Sequence, residues 1–460
     1  MLDTSSLQHV RRRLRGGGEV IVVDTGAILT PEIIAMVQAK HSRSSLGFDE
    51  FVKVLSEEGV AMFMEQNYVG YGDKSIGDCG WATVFIEGAS MLAPKAVQDW
   101  LLYNGQESST RYMNFSKQKF FNPLGTAEGE VIQDGWRNIF NSYYESLRTV
   151  FAERFPQKDR EDDGDWKRAI RAKTLDVLRG FLPAGIATNF SWTMPLRQFK
   201  DELGVLRHHP LEEIREIALA AEEALGDMFK NSGFGKRYPA TEQYSASMAV
   251  AYTYYDELFP LYGVDEVMVM RDSIEKGPCG LDYWHKALNT RPAKAELPKK
   301  IAECGNMQFS FLLDFGSFRD LQRHRSVIQQ MPILGIHHGF HPWYLNELES
   351  AGLPIEQIWK EMYHQEELIC DLDTSDEIRQ YYTAMGYNTT NQLTGDLPAL
   401  VWIVELRGTR DVHPTLRKRA IQMATELENR FGKHGLVLHM DPDPNVFDVR
   451  RGKHDIGIKK

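Results

Sequence analysis

The strongest constraint on this chain is that it repeats itself. Asp78-Cys79-Gly80 precedes an apolar strand, a Gly-Ala-Ser at 88–90 and a helix; Glu303-Cys304-Gly305 precedes an apolar strand, Gly316-Ser317 and a helix. Later, Val205-Leu206-Arg207-His208-His209-Pro210 leads into a helix containing Arg215, and Glu405-Leu406-Arg407 with His413-Pro414 leads into one containing Arg417. Two unrelated α/β domains share strand–helix grammar by chance, but not Cys-Gly and Leu-Arg…His-Pro landmarks in one order, so duplication is the better reading. A length of 460 residues accommodates two such copies. Residues Asn231–Pro239 (NSGFGKRYP) make the best linker. The expected division is an N-terminal repeat at 1–235 and a more divergent C-terminal repeat at 236–460.

Patterning suggests strands at Glu19–Val23, Trp81–Glu87, Val264–Met270 and Met307–Leu313. Thr30-Pro31-Glu32 reads as a helix start. Further helices are expected over Phe48–Glu58, Ala61–Asn67, Gly135–Phe155, Trp166–Phe181, Met194–Leu206, Leu211–Phe229, Phe318–His324, Pro354–Leu372, Asp396–Leu406 and Pro414–Phe431. The basic run Arg11–Arg15 reads as a surface helix end. A net charge of −11 argues against broad nucleic-acid binding but leaves room for a local phosphate pocket. Four scattered cysteines fit neither a disulfide framework nor a zinc ribbon and point to a reducing, cytoplasmic setting. No apolar run is long enough to span a membrane, and the start lacks the apolar core of a secretory signal.

Phosphate-loop, nucleophile-elbow and zinc-protease signatures are absent. The histidines of His337-His338-Gly339-Phe340-His341 read as incidental loop residues, and no metal is expected. Two arginine-bearing segments remain. Asn104-Gly105-Gln106-Glu107-Ser108-Ser109-Thr110-Arg111-Tyr112 gathers hydroxyls, a cation and an aromatic that can hold phosphate, sugar and base; taken alone it is also an ordinary polar helix-to-loop junction. Arg319-Asp320-Leu321-Gln322-Arg323-His324-Arg325 closes an amphipathic helix, where cations are expected on dipole grounds and equally make an anion site.

Together these segments resemble the flavin-dependent thymidylate synthases, whose signature runs from Arg-His-Arg to a Ser-x-Arg-Tyr. A Gly-His-x-Ser loop of that family corresponds to Gly72-Asp73-Lys74-Ser75. Its later segments correspond to Arg179-Gly180-Phe181-Leu182-Pro183, Pro195-Leu196-Arg197, Leu206-Arg207 and Glu213-Ile214-Arg215. The first half keeps the tail of the signature (Glu107, Ser109, Arg111, Tyr112) and the second keeps its head (Arg323-His324-Arg325). Because the family assembles sites between subunits of a homotetramer, a fused pair could keep one composite site per chain.

The resemblance implies an α/β (α+β) fold of two repeats, each a small mixed sheet packed with long helices, forming an intramolecular pseudo-dimer. The whole protein would then be a homodimer. It implies reductive methylation at C5 of dUMP or a related pyrimidine nucleotide, with FAD, NADPH and methylenetetrahydrofolate. Ser109, Arg111 and Arg179 would act in catalysis. Glu107, Ser109, Arg111, Tyr112, Arg179 and Arg207 would hold the nucleotide, and Arg323, His324, Arg325, Arg197 and Ser75 the flavin. No protein nucleophile is needed, in keeping with the lack of a Pro-Cys-His. The family histidine is Asp73 here, its Asn-x-Arg asparagine is Pro195, and a later asparagine falls near Asp201. Flavin binding is therefore the weakest carry-over. The alternatives are a nucleotide-binding pseudoenzyme and flavin-dependent alkylation of another pyrimidine nucleotide.

Overall fold

The computed structural model describes residues 9–23, 26, 30–41, 57–70, 74–111, 113–259 and 266–442. Tyr112, Asp73, most of the helix expected over Phe48–Glu58 and the start of the strand expected at Val264 lie outside the described residues. In chain order the strands are β1 (His9–Arg13), β2 (Glu19–Val23), β3 (Trp81–Ser90), β4 (Ala187–Pro195), β5 (Val267–Asp272), β6 (Asn306–Asp314), β7 (Ile328–Gln330) and β8 (Asn388–Asp396). The helices used below are α1 (Pro31–His41), α2 (Leu92–Gln98), α3 (Ala127–Arg154), α4 (Asp163–Leu178), α5 (Leu196–Leu206), α6 (Glu212–Met228), α7 (Pro239–Ala251), α8 (Phe315–Gln322), α9 (Pro342–Ser350), α10 (Ile355–Asp371), α11 (Leu397–Arg407) and α12 (Pro414–Phe431).

The chain divides into two compact units that interleave along the sequence. Unit 1 comprises residues 1–108, 118–123 and 186–253; unit 2 comprises 109–117, 124–185 and 254–460. The division at 235/236 expected from the sequence therefore follows the chain, whereas the compact units cut across it.

Unit 1 is built on a sheet of order β1-β2-β3-β4. Arg11–Arg15 supplies most of a strand and the turn after it, not a helix end: β1 pairs with β2 across a hairpin whose Gly17 sits at φ 92. Arg12 reaches Glu223 and Asp227 on α6, while Arg11 and Arg13 pair with Glu19 of β2, so each of three consecutive arginines in a strand meets a carboxylate. On β3 the alternation buries Ala82, Val84 and Ile86 and leaves Trp81 and Phe85 exposed. Helices α5 and α6 cover the buried face; Trp192 of β4 and Phe199 of α5 meet with ring centroids 4.8 Å apart.

Unit 2 carries a second sheet, β5-β6-β8-β7. All strand pairs in both sheets are antiparallel, so the expectation of mixed sheets is corrected. The registers show the reason. After the helical excursion that follows β3, the chain re-enters where it left, with Ser90 facing Ala187, and Asp314 faces Asn388 in the same way. The pairs β3–β4 and β6–β8 occupy corresponding places. Each returning strand has nine residues and runs into an eleven-residue helix, α5 or α11.

Within unit 2, α3 and α4 from the first half of the sequence pack with α10 and α9, respectively, from the second, and Trp136 Nε1 donates to the Tyr382 carbonyl. Two short segments face each other there. The Ala184 N–H donates to Thr383 O, and the Met385 N–H donates to Leu182 O; the Gly185 N–H donates to Tyr381 O, and the Gly386 N–H donates to Gly180 O. The shift that carries β4 and α5 onto β8 and α11 also exchanges the members of each pair of bonds, with Pro183 opposite Ala384 at the centre. Such reciprocity is the local signature of a two-fold relation.

Candidate functional site

The site is built at the C-terminal end of α4 in unit 2. Ser109 shapes the loop that presents Arg111: its Oγ accepts from the Arg111 N–H at 3.3 Å and its carbonyl from the Met113 N–H at 3.1 Å. The Arg111 guanidinium then donates to Asp176 Oδ1 at 2.9 Å and to the Asp411 carbonyl at 2.6 Å. Burial works against the charge on Arg111, but Asp176 outweighs it and keeps the group protonated.

Arg179 begins the 3₁₀ turn that follows α4 and is only 4% exposed. Its two end nitrogens reach hydroxyls, Thr110 Oγ1 at 3.4 Å and Ser317 Oγ at 3.1 Å, and its Nε has no hydrogen-bond partner. Among the described residues no carboxylate lies within 4.0 Å of it. Tyr344, Asp176, Asp320 and Asp314 nevertheless lie near enough to overcome burial, so it stays cationic. Asp314 accepts through Oδ2 from the Ser317 N–H and from Tyr344 Oη at 2.7 Å, while its buried Oδ1 has no hydrogen-bond partner.

The Arg-His-Arg segment follows α8. His324 is buried, whereas Arg323 and Arg325 are exposed. Arg407, at the end of α11, donates through Nε to His324 Nε2 at 2.8 Å and through Nη2 to the Asp320 carbonyl. Since a guanidinium only donates, His324 Nε2 accepts and the ring proton sits on Nδ1. Burial, with Arg407 beside it, pushes the His324 pKa down to about 3. Arg407 is pulled below its usual value by burial, and Asp320 is held below the usual carboxylate range because Arg179, Arg407, Arg111 and Arg319 surround it. The result is a densely charged, largely buried corner: Arg111, Arg179 and Arg407 converge, with Asp176, Asp314 and Asp320 as the nearby opposite charges.

The other residues singled out from the sequence lie in unit 1. Glu107 accepts from Gln98 Nε2 at 3.3 Å. Ser75 is an exposed residue of a four-residue helix. Arg197 pairs with Asp78 at 2.7 Å and Asp201 at 3.3 Å. Arg207 is forked between Glu222 at 2.9 Å and Glu242 at 2.6 Å. In the histidine loop, His341 caps α9 through Nδ1, and His338 meets Asp256 at 3.0 Å. No group of three His, Cys, Asp or Glu suited to a metal ion occurs among the described residues. No helix among them is long and apolar enough to cross a membrane.

The model of the thymidylate synthase complementing protein family matches residues 29–229. Over that stretch the chain is similar to this family. A UPF0159 protein of Chlamydia pneumoniae is 24% identical over 475 residues, covering 86% of this chain and 87% of its own length. A UPF0159 protein of Chlamydia muridarum is 26% identical over 472 residues, with 86% and 88% covered. One of Thermoplasma acidophilum is 22% identical over 430 residues, with 80% and 86% covered. These long alignments extend well beyond the stretch matched by the thymidylate synthase complementing proteins, so relatives of similar length share both halves.

Several residues of the corner were not picked out from the sequence. Arg407 and His413 stood there only as landmarks of the repeat. Ser317 likewise stood there only in the Gly316-Ser317 landmark, and Asp176 and Tyr344 carried no signal, because a lone Asp in a helix and a lone Tyr are commonplace.

Proposed function

We propose that this thymidylate synthase-related chain binds a pyrimidine nucleotide at the corner formed by Arg111, Arg179 and Arg407, with Ser109 shaping its entrance, and that it methylates the base at C5. The observation that carries the reading is Arg179: a buried guanidinium without an ion-pair partner is costly unless an anion completes it. A nucleotide phosphate supplies that anion, and guanidiniums in a dry site also stabilise negative charge developing on a pyrimidine oxygen. Within this reading the reciprocal bonds about Pro183 and Ala384 support a fused pair of family-like repeats, each chain keeping one composite site, and a homodimer of such chains.

The flavin fits in part. Arg323 and Arg325, exposed beside the corner, suit the diphosphate of FAD. Arg197 does not, because Asp78 and Asp201 already neutralise it and would repel a diphosphate. When bound, reduced flavin supplies the hydride, with methylenetetrahydrofolate as the carbon source and NADPH as reductant. The neutralised Arg197 favours one second reading, a nucleotide-binding protein without flavin catalysis. A visible spectrum of the protein reconstituted with FAD, with and without dUMP, separates them. A flavin band that shifts with dUMP supports the enzyme. Calorimetric binding of dUMP without flavin uptake selects the second reading, and absence of both overturns the site.

A further inference from the structure

Arg179 is held by something other than a carboxylate, and its support can be traced atom by atom within unit 2. The Asp176 carbonyl, in the last turn of α4, faces His413 Nε2 at 3.2 Å. A carbonyl only accepts, so the His413 proton sits on Nε2 and Nδ1 is an acceptor. Two hydroxyls approach that Nδ1, Thr415 Oγ1 at 2.9 Å and Ser317 Oγ at 3.1 Å, and they lie 2.7 Å from each other. Ser317 Oγ also receives an N–H from Arg179. The assignment that follows the shorter of the two contacts to Nδ1 runs in a single direction. Arg179 donates to Ser317, Ser317 to Thr415, Thr415 to His413 Nδ1, and His413 Nε2–H to the Asp176 carbonyl. Ser317, Thr415 and His413 are all buried, so no water competes for these bonds, and donors running in one direction reinforce one another. The relay ends on the residue whose carboxylate holds Arg111, so both site arginines are fixed from α4.

We infer that Ser317, Thr415 and His413 are positioning residues that hold Arg179 in place through neutral groups and leave its charge for the ligand. An aspartate in place of Ser317 would hold the guanidinium more tightly but consume the charge. Three neutral side chains fix the geometry without doing so. The inference rests on the anion-binding reading of the corner and adds the means by which its central cation is presented.

The test measures affinity for inorganic phosphate and for dUMP by calorimetry, alongside the melting temperature. Thr415→Val keeps the shape and removes the hydroxyl, breaking the chain; affinity for both ligands should fall about tenfold, the effect of losing one buried hydrogen bond's worth of positioning. Thr415→Ser restores the hydroxyl and should return affinity to about the wild-type level. Ser317→Ala, which removes the acceptor of Arg179 itself, should weaken binding at least as much and serves if Thr415→Val does not fold. Wild-type affinity in Thr415→Val or Ser317→Ala, with binding abolished in Arg179→Met, overturns the relay and leaves the site standing. Wild-type affinity in Arg179→Met overturns the site reading itself.

Discussion

Arg207 in unit 1 and Arg179 and Arg407 in unit 2 are held in different ways. In unit 1, Arg207 is clamped between Glu222 and Glu242, and Arg237 adds a further pair to Glu222, so each cation meets a carboxylate. In unit 2, Arg179 and Arg407 follow the same Arg-turn and Leu-Arg landmarks, yet rest on hydroxyls, a neutral imidazole and a backbone carbonyl. The position related to Arg179 by the local two-fold is Gln380, an uncharged amide whose Oε1 accepts from the Leu334 N–H. An arginine clamped by carboxylates ties helices together. Under the proposed function, the contrast teaches that the same Leu-Arg dipeptide serves architecture in one copy and binding in the other. Its partners decide which.

The largest effect that would break this contrast is on stability. Arg207→Met leaves Glu222 to Arg237 alone and Glu242 to His208, and should cost about 3 kcal/mol, the low end for breaking a buried pair, read as a drop in melting temperature with phosphate binding intact. Arg179→Met should act mainly on binding: affinity falls at least ~100-fold, while the melting temperature falls less than in Arg207→Met because Asp320 keeps Arg407, Arg111 and Arg319 around it. If both variants lose stability equally, the distinction between clamp and binding cation fails. A third measurement sharpens the contrast. Phosphate or dUMP at about 100 times its dissociation constant should stabilise the wild type by about 2.7 kcal/mol and leave Arg179→Met unmoved.

The pH dependence should divide in the same way, with smaller amplitude. Glu202 on α5 in unit 1 is 2% exposed, neither carboxylate oxygen has a hydrogen-bond partner, and burial beside Asp99 raises its pKa well above the usual value. A raised carboxyl contributes stability that is complete below about pH 4.5 and is lost as pH rises through its folded value. Glu202→Gln should flatten the alkaline limb of the melting curve. His324 in unit 2 has the opposite sign. Its folded pKa of about 3 lies below the unfolded one, so its contribution is present above about pH 6.5 and lost progressively as the solution is acidified towards the folded value. Ligand affinity should therefore show no His324 titration between about pH 6 and 8; an imidazole titrating there by NMR would overturn the assigned proton.

Much of this was legible in the sequence where local chemistry and burial agreed. Pro414–Phe431 is read to the residue, because His413-Pro414 marks its start and an apolar stripe runs its length. Thr30 accepts from the Ile33 N–H as a capping residue should. Strand β8 was missed because NTTNQLTGD is polar on both faces: its asparagines and threonines are buried by tertiary contacts that leave no periodicity. Strand β4 was partly read as helix, although Phe190, Trp192 and Met194 alternate along it. At the corner, Arg111 and Arg179 stood out through the resemblance, but the residues that keep Arg179 uncompensated did not, since hydroxyls and a buried histidine acquire that role only from distances the sequence does not contain.

The interleaving of the units also sets an order of events at the ribosome. Trp136 must wait for the Tyr382 carbonyl, 246 residues further on. At ~5–20 residues per second of synthesis, that is a delay of roughly 10–50 s, during which the long helices of the first half have emerged without their partners. Arg111 emerges before that interval and Arg179 within it, whereas Arg407 follows only after it has closed. Whatever shields the apolar faces of α3 and α4 meanwhile, a chaperone or their own transient pairing, is a requirement that a chain of two consecutive domains would not impose.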